Sequence, residues 1–387
     1  MIYLDNAATT EMDDAVLVSM IPYLTWNYGN AGSLHSMGRE AYNAVWHARE
    51  QVAKFINASP EQIIFTSGGS EANNMVIHNA YKFPMYNRII STEAEHDSIL
   101  NYLKKIKSWE EGEFKIDLLH INEFGVIDIS ELEELINRSR GVQLISVMHT
   151  NNELGSVNPI EKVGEVCLEH AIQFHTDCVQ AAGFSKLDVQ KLQCDYLSLS
   201  SHKIHGPKGV GALFVRKPDF FTEFIFGGKS QEFGLRGGTE NVAGIVGFGE
   251  ACDRAGARLQ ENRGIITSCV QALSEALETR LMAFDLINKL HYNTQVYEDT
   301  KVLNMRFDGV KAEALIMMLD AQGVCVSAGS ACNASDGTPS HVLKAIGLTD
   351  DEARSSIRVS FSKYNDMDEC ARAGEMIAYC VKQLCLK

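Results

Sequence analysis

Several features are scarce in this sequence, and each scarcity excludes something. Proline is rare, with seven residues spread over 387 positions, which leaves room for long regular elements. Positive charge is in deficit: 35 Lys and Arg against 50 Asp and Glu give a net charge of −15. Charge-driven attraction to nucleic acid or to an anionic membrane is therefore not expected. No apolar run approaches the ~20 residues that a spanning helix needs. The start, Met1-Ile2-Tyr3-Leu4-Asp5, lacks a basic region followed by an apolar run, so no secretory signal is visible. There are ten cysteines, but no two are spaced as C-x-x-C, the close pairing that most structural zinc sites use. The cysteines other than Cys332 read as reduced core thiols, and no metal site is expected. Neither repeats nor low-complexity tracts nor a Pro/Ser-rich linker appear. Hydrophobic residues at 45% and charged residues at 22% are globular values that argue against disorder. The expectation is an acidic, soluble, cytoplasmic protein of two or three domains.

What is present is an alternation of short apolar runs with helical patterns. Strand candidates are Gln62–Thr66, Arg88–Ser91, Leu144–Met148, Ile172–Thr176, Tyr196–Leu199 and Gly211–Val215. Amphipathic stretches such as Glu71–Tyr81 and Pro159–His170 lie between them. Near-continuous apolar strands separated by helices indicate an α/β protein with a largely parallel sheet covered on both faces. From about residue 249 the texture changes. Glu250–Phe284 reads as one long helical segment with an interruption expected at Gly264, followed by strand candidates at Lys301–Phe307, Val324–Val326 and Ser356–Phe361 and a helix from about Asp366. The expected division is residues 1–15 joining the small domain, 16–250 as a large domain, and 251–387 as a small α/β domain.

Unusual polar residues follow the strand candidates, and in open parallel sheets ligands bind outside the carboxyl ends of the strands. Ser67-Gly68-Gly69-Ser70-Glu71 opens a helix after one such run. It reads either as a turn with an N-cap serine or as an anion cradle of free N–H groups, and it lacks the lysine of a nucleotide-binding P-loop. Asp177 and Gln180 follow another strand; the aspartate is either a cap or a carboxylate placed to hold a proton on a heteroaromatic nitrogen. Ser200-Ser201-His202-Lys203 runs off an apolar strand into Gly206-Pro207-Lys208-Gly209. Lys203 stands where burial lowers a lysine pKa and favours a Schiff-base nucleophile, whereas Lys208 looks like a surface residue. Arg236-Gly237-Gly238-Thr239-Glu240-Asn241 adds further phosphate-suited chemistry. His96 and His149 also follow strand candidates, either as hydrogen-bonded structural residues or as a ring cover and proton carrier. A phosphate cradle, a lysine and a carboxylate at strand ends together suggest pyridoxal phosphate.

In this order, these residues make the chain resemble the NifS/IscS-type cysteine desulfurases among the fold-type I pyridoxal-phosphate enzymes. The resemblance runs from Tyr3-Leu4-Asp5-Asn6-Ala7-Ala8-Thr9-Thr10 through Ser67–Asn74, Glu95-His96, His149–Gly155, His175-Thr176-Asp177, Ser200–Lys203 and Gly238–Asn241 to Ser327-Ala328-Gly329-Ser330-Ala331-Cys332 and Arg358-Val359-Ser360. It implies a large domain with a mostly parallel seven-stranded sheet between helices, plus a smaller α/β domain carrying a catalytic-cysteine loop. It also implies a reaction in which L-cysteine becomes L-alanine and its sulfur passes to Cys332 as a persulfide.

The resemblance further implies that Lys203 holds the pyridoxal 5'-phosphate and that Asp177 pairs with the ring nitrogen. His96 stacks on the ring and moves protons, while Gln180 and Asn152 reach the ring oxygen or the substrate. Gly69, Ser70, Ser200 and His202 hold the phosphate, with Thr239 supplied by the partner of a homodimer. Arg358 grips the substrate carboxylate, a task suited to a forked guanidinium. The segment Asn333–Pro339 resembles the longer-loop group that passes sulfur to an acceptor protein, an iron–sulfur scaffold or a thiolation enzyme. Departures from the usual pattern are Ser70 for Thr, Gly237 for Ser, Phe233 for a basic residue and Asn30-Ala31 for Asn-Pro. The competing readings are a selenocysteine lyase, another aminotransferase-like enzyme and a non-catalytic sulfur-transfer scaffold.

Overall fold

The computed structural model describes residues 1–109, 114–139, 141–228, 231–295, 300–329 and 338–386. In chain order its strands are β1 (Ile2–Tyr3), β2 (Ile63–Thr66), β3 (Arg88–Thr92), β4 (Lys115–Leu119), β5 (Leu144–Ser146), β6 (Gln173–Asp177), β7 (Tyr196–Ser200), β8 (Gly211–Val215), β9 (Leu290–Tyr292), β10 (Val302–Phe307), β11 (Val324–Cys325) and β12 (Ser356–Ser360). Seven of them form one sheet in the order β2-β8-β7-β6-β5-β3-β4. Only β8 runs against the others, pairing antiparallel with both β2 and β7.

The strands of this sheet alternate their side chains between two apolar layers. Phe65, Ile90, Ile145, Phe174, Leu197 and Phe214 face one layer, packed against helices Ser36–Phe55, Ile160–Glu169 and Val242–Ala257. Ile64, Ile89, Leu144, Tyr196 and Leu213 face the other, against helices Gly69–Lys82 and Asp97–Trp109. Burial on both faces is why β2 and β8 read as near-continuous apolar runs. A second core gathers around the antiparallel sheet β12-β10-β9, where helices Leu259–Ala283 and Met367–Cys385 pack together. They approach closely at Gly374, where a Cβ would lie 2.4 Å from the Leu273 carbonyl oxygen.

Three features differ from the sequence expectation. β4 has no counterpart among the strand candidates, because Lys-Ile-Asp-Leu-Leu lies at the sheet edge with an exposed lysine and with Asp117 paired to Arg88 of β3. β9 is likewise short, half-buried and not anticipated. The long helical segment is broken at Arg258 and not at Gly264. Helix Leu259–Ala283 continues through Gly264 because that position faces solvent, while Asn262 and Ile266, four residues apart, are buried and hold the helix down. Of the ten cysteines, nine lie in the described residues; none forms a disulfide there and seven are buried. Cys332 lies outside the described residues.

A buried ion pair ties helix Ser36–Phe55 to the segment leading to Thr239. Arg49 donates two hydrogen bonds to Glu232, at 2.8 and 2.7 Å, and Glu232 also accepts from the Phe65 N–H of β2 at 2.7 Å. The guanidinium lies over the Phe65 and Phe233 rings, 4.7 and 4.9 Å from their centroids. A basic side chain at 233 would instead confront Arg49 with a like charge. Glu232 and Phe233 both have positive φ, 40° and 58°, a conformation that non-glycine residues adopt only when it is held in place. Removing one partner leaves an uncompensated buried charge. Arg49→Met is therefore expected to lower the unfolding free energy by about 3–5 kcal/mol. Arg49→Met/Glu232→Leu should recover most of that loss, as read from urea unfolding midpoints.

Candidate active site

The carboxyl ends of the parallel strands bring the polar residues to one edge of the large sheet. β7 ends at Ser200, and the turn that follows carries His202 and Lys203. The neighbouring β6 ends at Asp177, with Gln180 one turn further on. Asn152 follows β5, His96 follows β3, and Gly69 and Ser70 follow β2 at the start of helix Gly69–Lys82. Thr239 is exposed, and among the described residues it hydrogen-bonds to none of these.

The Lys203 ammonium donates to the carbonyls of Ala7 and of Ala8, the latter at 2.8 Å. Asp177 is buried and accepts from the Val179 N–H at 2.9 Å and the Asn73 amide at 2.7 Å. Asn73 in turn donates to Ser98 Oγ at 3.0 Å. It was not singled out from the sequence, although it lies four residues beyond Gly69 and so shares its helix face. Gln180 donates to the Ala7 carbonyl at 2.9 Å, and its buried Oε1 has no partner among the described residues.

His96 is half-buried. Its Nδ1 accepts from the Ser98 N–H at 3.1 Å and meets Ser98 Oγ at 2.8 Å. Because a backbone amide can only donate, Nδ1 of the neutral ring is bare and Nε2 carries the hydrogen. His149 differs: it is buried, bonded to Thr150 Oγ1 at 2.9 Å, and pushed by burial down to about 4, which marks a neutral structural residue. Glu95 also escaped the sequence reading as an individual. It is fully buried and pushed up to about 8, first by burial and then by the Asp177 charge. It therefore stays protonated at neutral pH while accepting from the Met148 N–H at 2.7 Å.

Around Gly68 and Gly69 the backbone is closely approached by Val179 and Ser200. A Cβ at Gly69 would lie 2.7 Å from Val179 Cγ2, and Gly68 has φ 155°. Glu71 fixes this turn by accepting from the Ser67 N–H at 2.8 Å and from Arg236 Nε at 2.9 Å. Ser70 is exposed, whereas Ser200 is buried. His202 is pushed down to about 4, first by burial and then by Lys203, and its Nδ1 meets Thr9 Oγ1 at 3.1 Å. N–H groups at a helix start, two hydroxyls and an imidazole are groups chemically suited to a phosphate dianion. With a lysine and a buried carboxylate alongside, the donor set fits pyridoxal phosphate.

Arg358, on β12, is almost fully buried. It donates to Asp5 Oδ1 at 2.8 Å and to the Asn152 carbonyl at 3.1 Å, and its Nε has no partner among the described residues. The roots of the segment that carries Cys332 stand close by. On one side, Ser327 exchanges backbone hydrogen bonds with Arg358 at 3.1 and 2.6 Å. On the other, Ser340 donates to Glu153 at 2.6 Å and His341 Nε2 lies 3.0 Å from the Glu95 carbonyl. A larger cavity of about 940 Å3, bordered by Ile316, Met317, Ser327 and Pro339, contains none of the expected site residues; chemistry and not volume marks the site.

The family model described as aminotransferase class-V matches residues 2–372. A protein of Methanosarcina thermophila named cysteine desulfurase IscS is 37% identical over 392 residues, covering 99% of this chain and 92% of its own. The solved structure of a NifS-like protein superposes with a TM-score of 0.87 at 34% identity, covering 98% of both chains. That of SspA in complex with cysteine does so with a TM-score of 0.77 at 34% identity, covering 94% of this chain and all of the other. The seven-stranded sheet, with its lysine and carboxylate on adjacent strand ends, therefore belongs to a known lineage: this chain is a member of the aminotransferase class-V family.

Proposed function

We propose that the protein is a pyridoxal-phosphate-dependent cysteine desulfurase that converts L-cysteine to L-alanine and keeps the sulfur on Cys332 as a persulfide. The observation that carries this reading is the meeting of two things at one strand edge. Lys203 and Asp177 stand on neighbouring strand ends, and the roots of the Cys332 segment are bound to Arg358, Glu153 and Glu95 around them.

In this reading Gly69, Ser70, Ser200 and His202 hold the cofactor phosphate, and Lys203 anchors the cofactor through its amine. Asp177, steadied by Asn73, pairs with the ring nitrogen; Gln180 and Asn152 lie toward the ring oxygen and the substrate. The bound cofactor supplies an electron sink for charge developing at the substrate Cα. Lys203 moves the Cα proton. His96 covers the ring and offers the Nε2 hydrogen, because Nδ1 is already occupied by the Ser98 N–H. Arg358 receives the substrate carboxylate by exchanging its bond to Asp5, and its Nε, without a partner among the described residues, provides a further donor. The Cys332 thiolate bonds to the substrate sulfur, the carbon–sulfur bond breaks with its electron pair moving to carbon, and protonation of that carbon gives alanine.

The wider reading is a homodimer in which Thr239 reaches the partner's site. It is supported by the exposure of Thr239 and by the apolar residues Leu17, Val18, Leu24, Trp26 and Tyr28 left on the surface of and after helix Asp14–Leu24. The persulfide sulfur passes to an acceptor protein, and the setting is cytoplasmic. We divide the chain at 1–15, 16–250 and 251–387, supported by the separate core around the β12-β10-β9 sheet.

Incubation with L-cysteine, with alanine quantified and persulfide mapped by mass spectrometry, tests the reading directly. Lys203→Ala is expected to abolish fixation of the cofactor by borohydride and to lower alanine formation by more than about 10²-fold. Cofactor still fixed to that variant would overturn the assignment. Cys332→Ser should keep the cofactor absorbance yet form no persulfide, and unchanged sulfide release would remove Cys332 from the reaction. Asn73→Ala deprives Asp177 of a charge-assisted donor, a loss of about 1.5–3 kcal/mol. The expected result is a roughly 10–100-fold slower turnover, measured alongside a shift in the cofactor absorbance maximum.

A further inference from the structure

The two roots of the segment that carries Cys332 meet at one side chain. Residues 330–337, which include Cys332, lie between Gly329 and Thr338, and the chain on both sides of them touches Glu153. Ser340 donates to Glu153 Oε2 at 2.6 Å. A Cβ built at Gly329 would lie 3.0 Å from that same oxygen and 3.7 Å from Ser340 Cβ. Gly329 has φ 82°, so a side chain there would be strained as well as pressed against the carboxyl group. Ser340 also caps helix His341–Ala345, accepting from the Val342 and Leu343 N–H groups at 3.1 and 3.2 Å.

Glu153 is itself a fixed point, 1% exposed. Its N–H donates to Asn151 Oδ1 at 2.8 Å, and its carbonyl accepts from the Asn304 amide of β10 at 3.2 Å. Asn151 in turn donates to the Ala94 carbonyl at 3.0 Å. The backbone of this turn is therefore held without help from the Glu153 carboxyl group. Asn152, the residue before it, accepts from Arg358 at 3.1 Å. Among the described residues the Glu153 side chain has Ser340 as its only hydrogen-bond donor and forms no ion pair. A carboxyl group buried for one hydroxyl carries a desolvation cost that an apolar side chain of similar size would avoid. Its contacts leave the two roots as its task.

We propose that Glu153 is a positioning residue for Cys332: its carboxyl group joins the two roots of the segment and so sets where the thiol stands relative to a substrate held by Asn152 and Arg358 beside it. The inference rests on the reading of Cys332 as the residue that receives sulfur. It adds a division of labour to that reading. Lys203, Asp177 and Arg358 serve the binding and activation of the substrate, whereas bond formation to its sulfur also requires the thiol within reach and in line. Joining the ends of a segment narrows the volume its middle can sample. Roots free to spread would lower the fraction of time in which the thiol is placed to react.

The test follows the holoenzyme through one turnover with L-cysteine and reads two signals. One is the change in cofactor absorbance as substrate binds; the other is persulfide on Cys332, mapped by mass spectrometry after quenching. Glu153→Ala is expected to keep the wild-type half-saturation of the absorbance change and to slow persulfide formation about 10–100-fold. Glu153→Gln, which keeps an oxygen for the Ser340 hydroxyl, should recover most of that rate. Ser340→Ala breaks the same bond from the other side, so Glu153→Ala/Ser340→Ala should be no slower than the slower single variant. Should Glu153→Ala not fold, Ser340→Ala is read against wild type by the same two signals. An unchanged persulfide rate overturns the proposal. So does a loss shared equally by both signals, which marks general damage to the fold, and so do losses that multiply in the double variant. Peptide mapping judges the underlying reading separately. Persulfide on a residue other than Cys332 overturns that reading, whereas persulfide on Cys332 at the wild-type rate in Glu153→Ala overturns the proposal alone.

Discussion

The site depends on the first thirteen residues acting as a seam between two sheets. Leu4 bonds its backbone to Cys325 and Ser360 of the small sheets, and Asn6 donates to the Ser360 carbonyl at 2.9 Å. Asp5 holds Arg358. A residue or two later, the Ala7 and Ala8 carbonyls receive the Lys203 ammonium, Ala7 also receives Gln180, and the Thr10 N–H donates to the His202 carbonyl at 3.0 Å. Asp13 closes the seam by joining Lys363 to Arg254. The residue expected to grip the substrate and the residue expected to carry the cofactor are therefore placed by the same short stretch of backbone. A shift there would move both together.

This arrangement explains what the sequence reveals and what it conceals. Strands buried on both faces keep charged residues to their ends, so β2, β3, β5, β6, β7 and β8 are visible as short runs, and the charged or polar residue after each run is conspicuous against them. Lys203, Asp177 and His96 are legible for that reason. β4 is hidden because an edge strand can carry Lys115 and Asp117 without penalty. The break at Arg258 is hidden because no proline marks it; the exposed Gly264 gives a false signal where the packing of Asn262 and Ile266 overrides intrinsic propensity. Supporting residues are concealed more deeply. Asn73 meets Asp177 across 104 positions of sequence, and Ser340 meets Glu153 across 187. Only topology brings them in.

Two carboxyl groups meet in the same low-dielectric interior. Glu95 is pushed up to about 8, first by burial and then by the charge of Asp177, so the cost of holding two like charges falls on the fully buried member. Asp177 is held on both oxygens, by the Asn73 amide on one and by the Val179 N–H on the other. These bonds fix the direction of its carboxyl group at the end of β6, while Glu95 is spent on the Met148 N–H of the neighbouring strand end. The two acids are therefore different in kind: one locks backbone to backbone, and the other is aimed by side chain and backbone from the sheet edge where the lysine also stands.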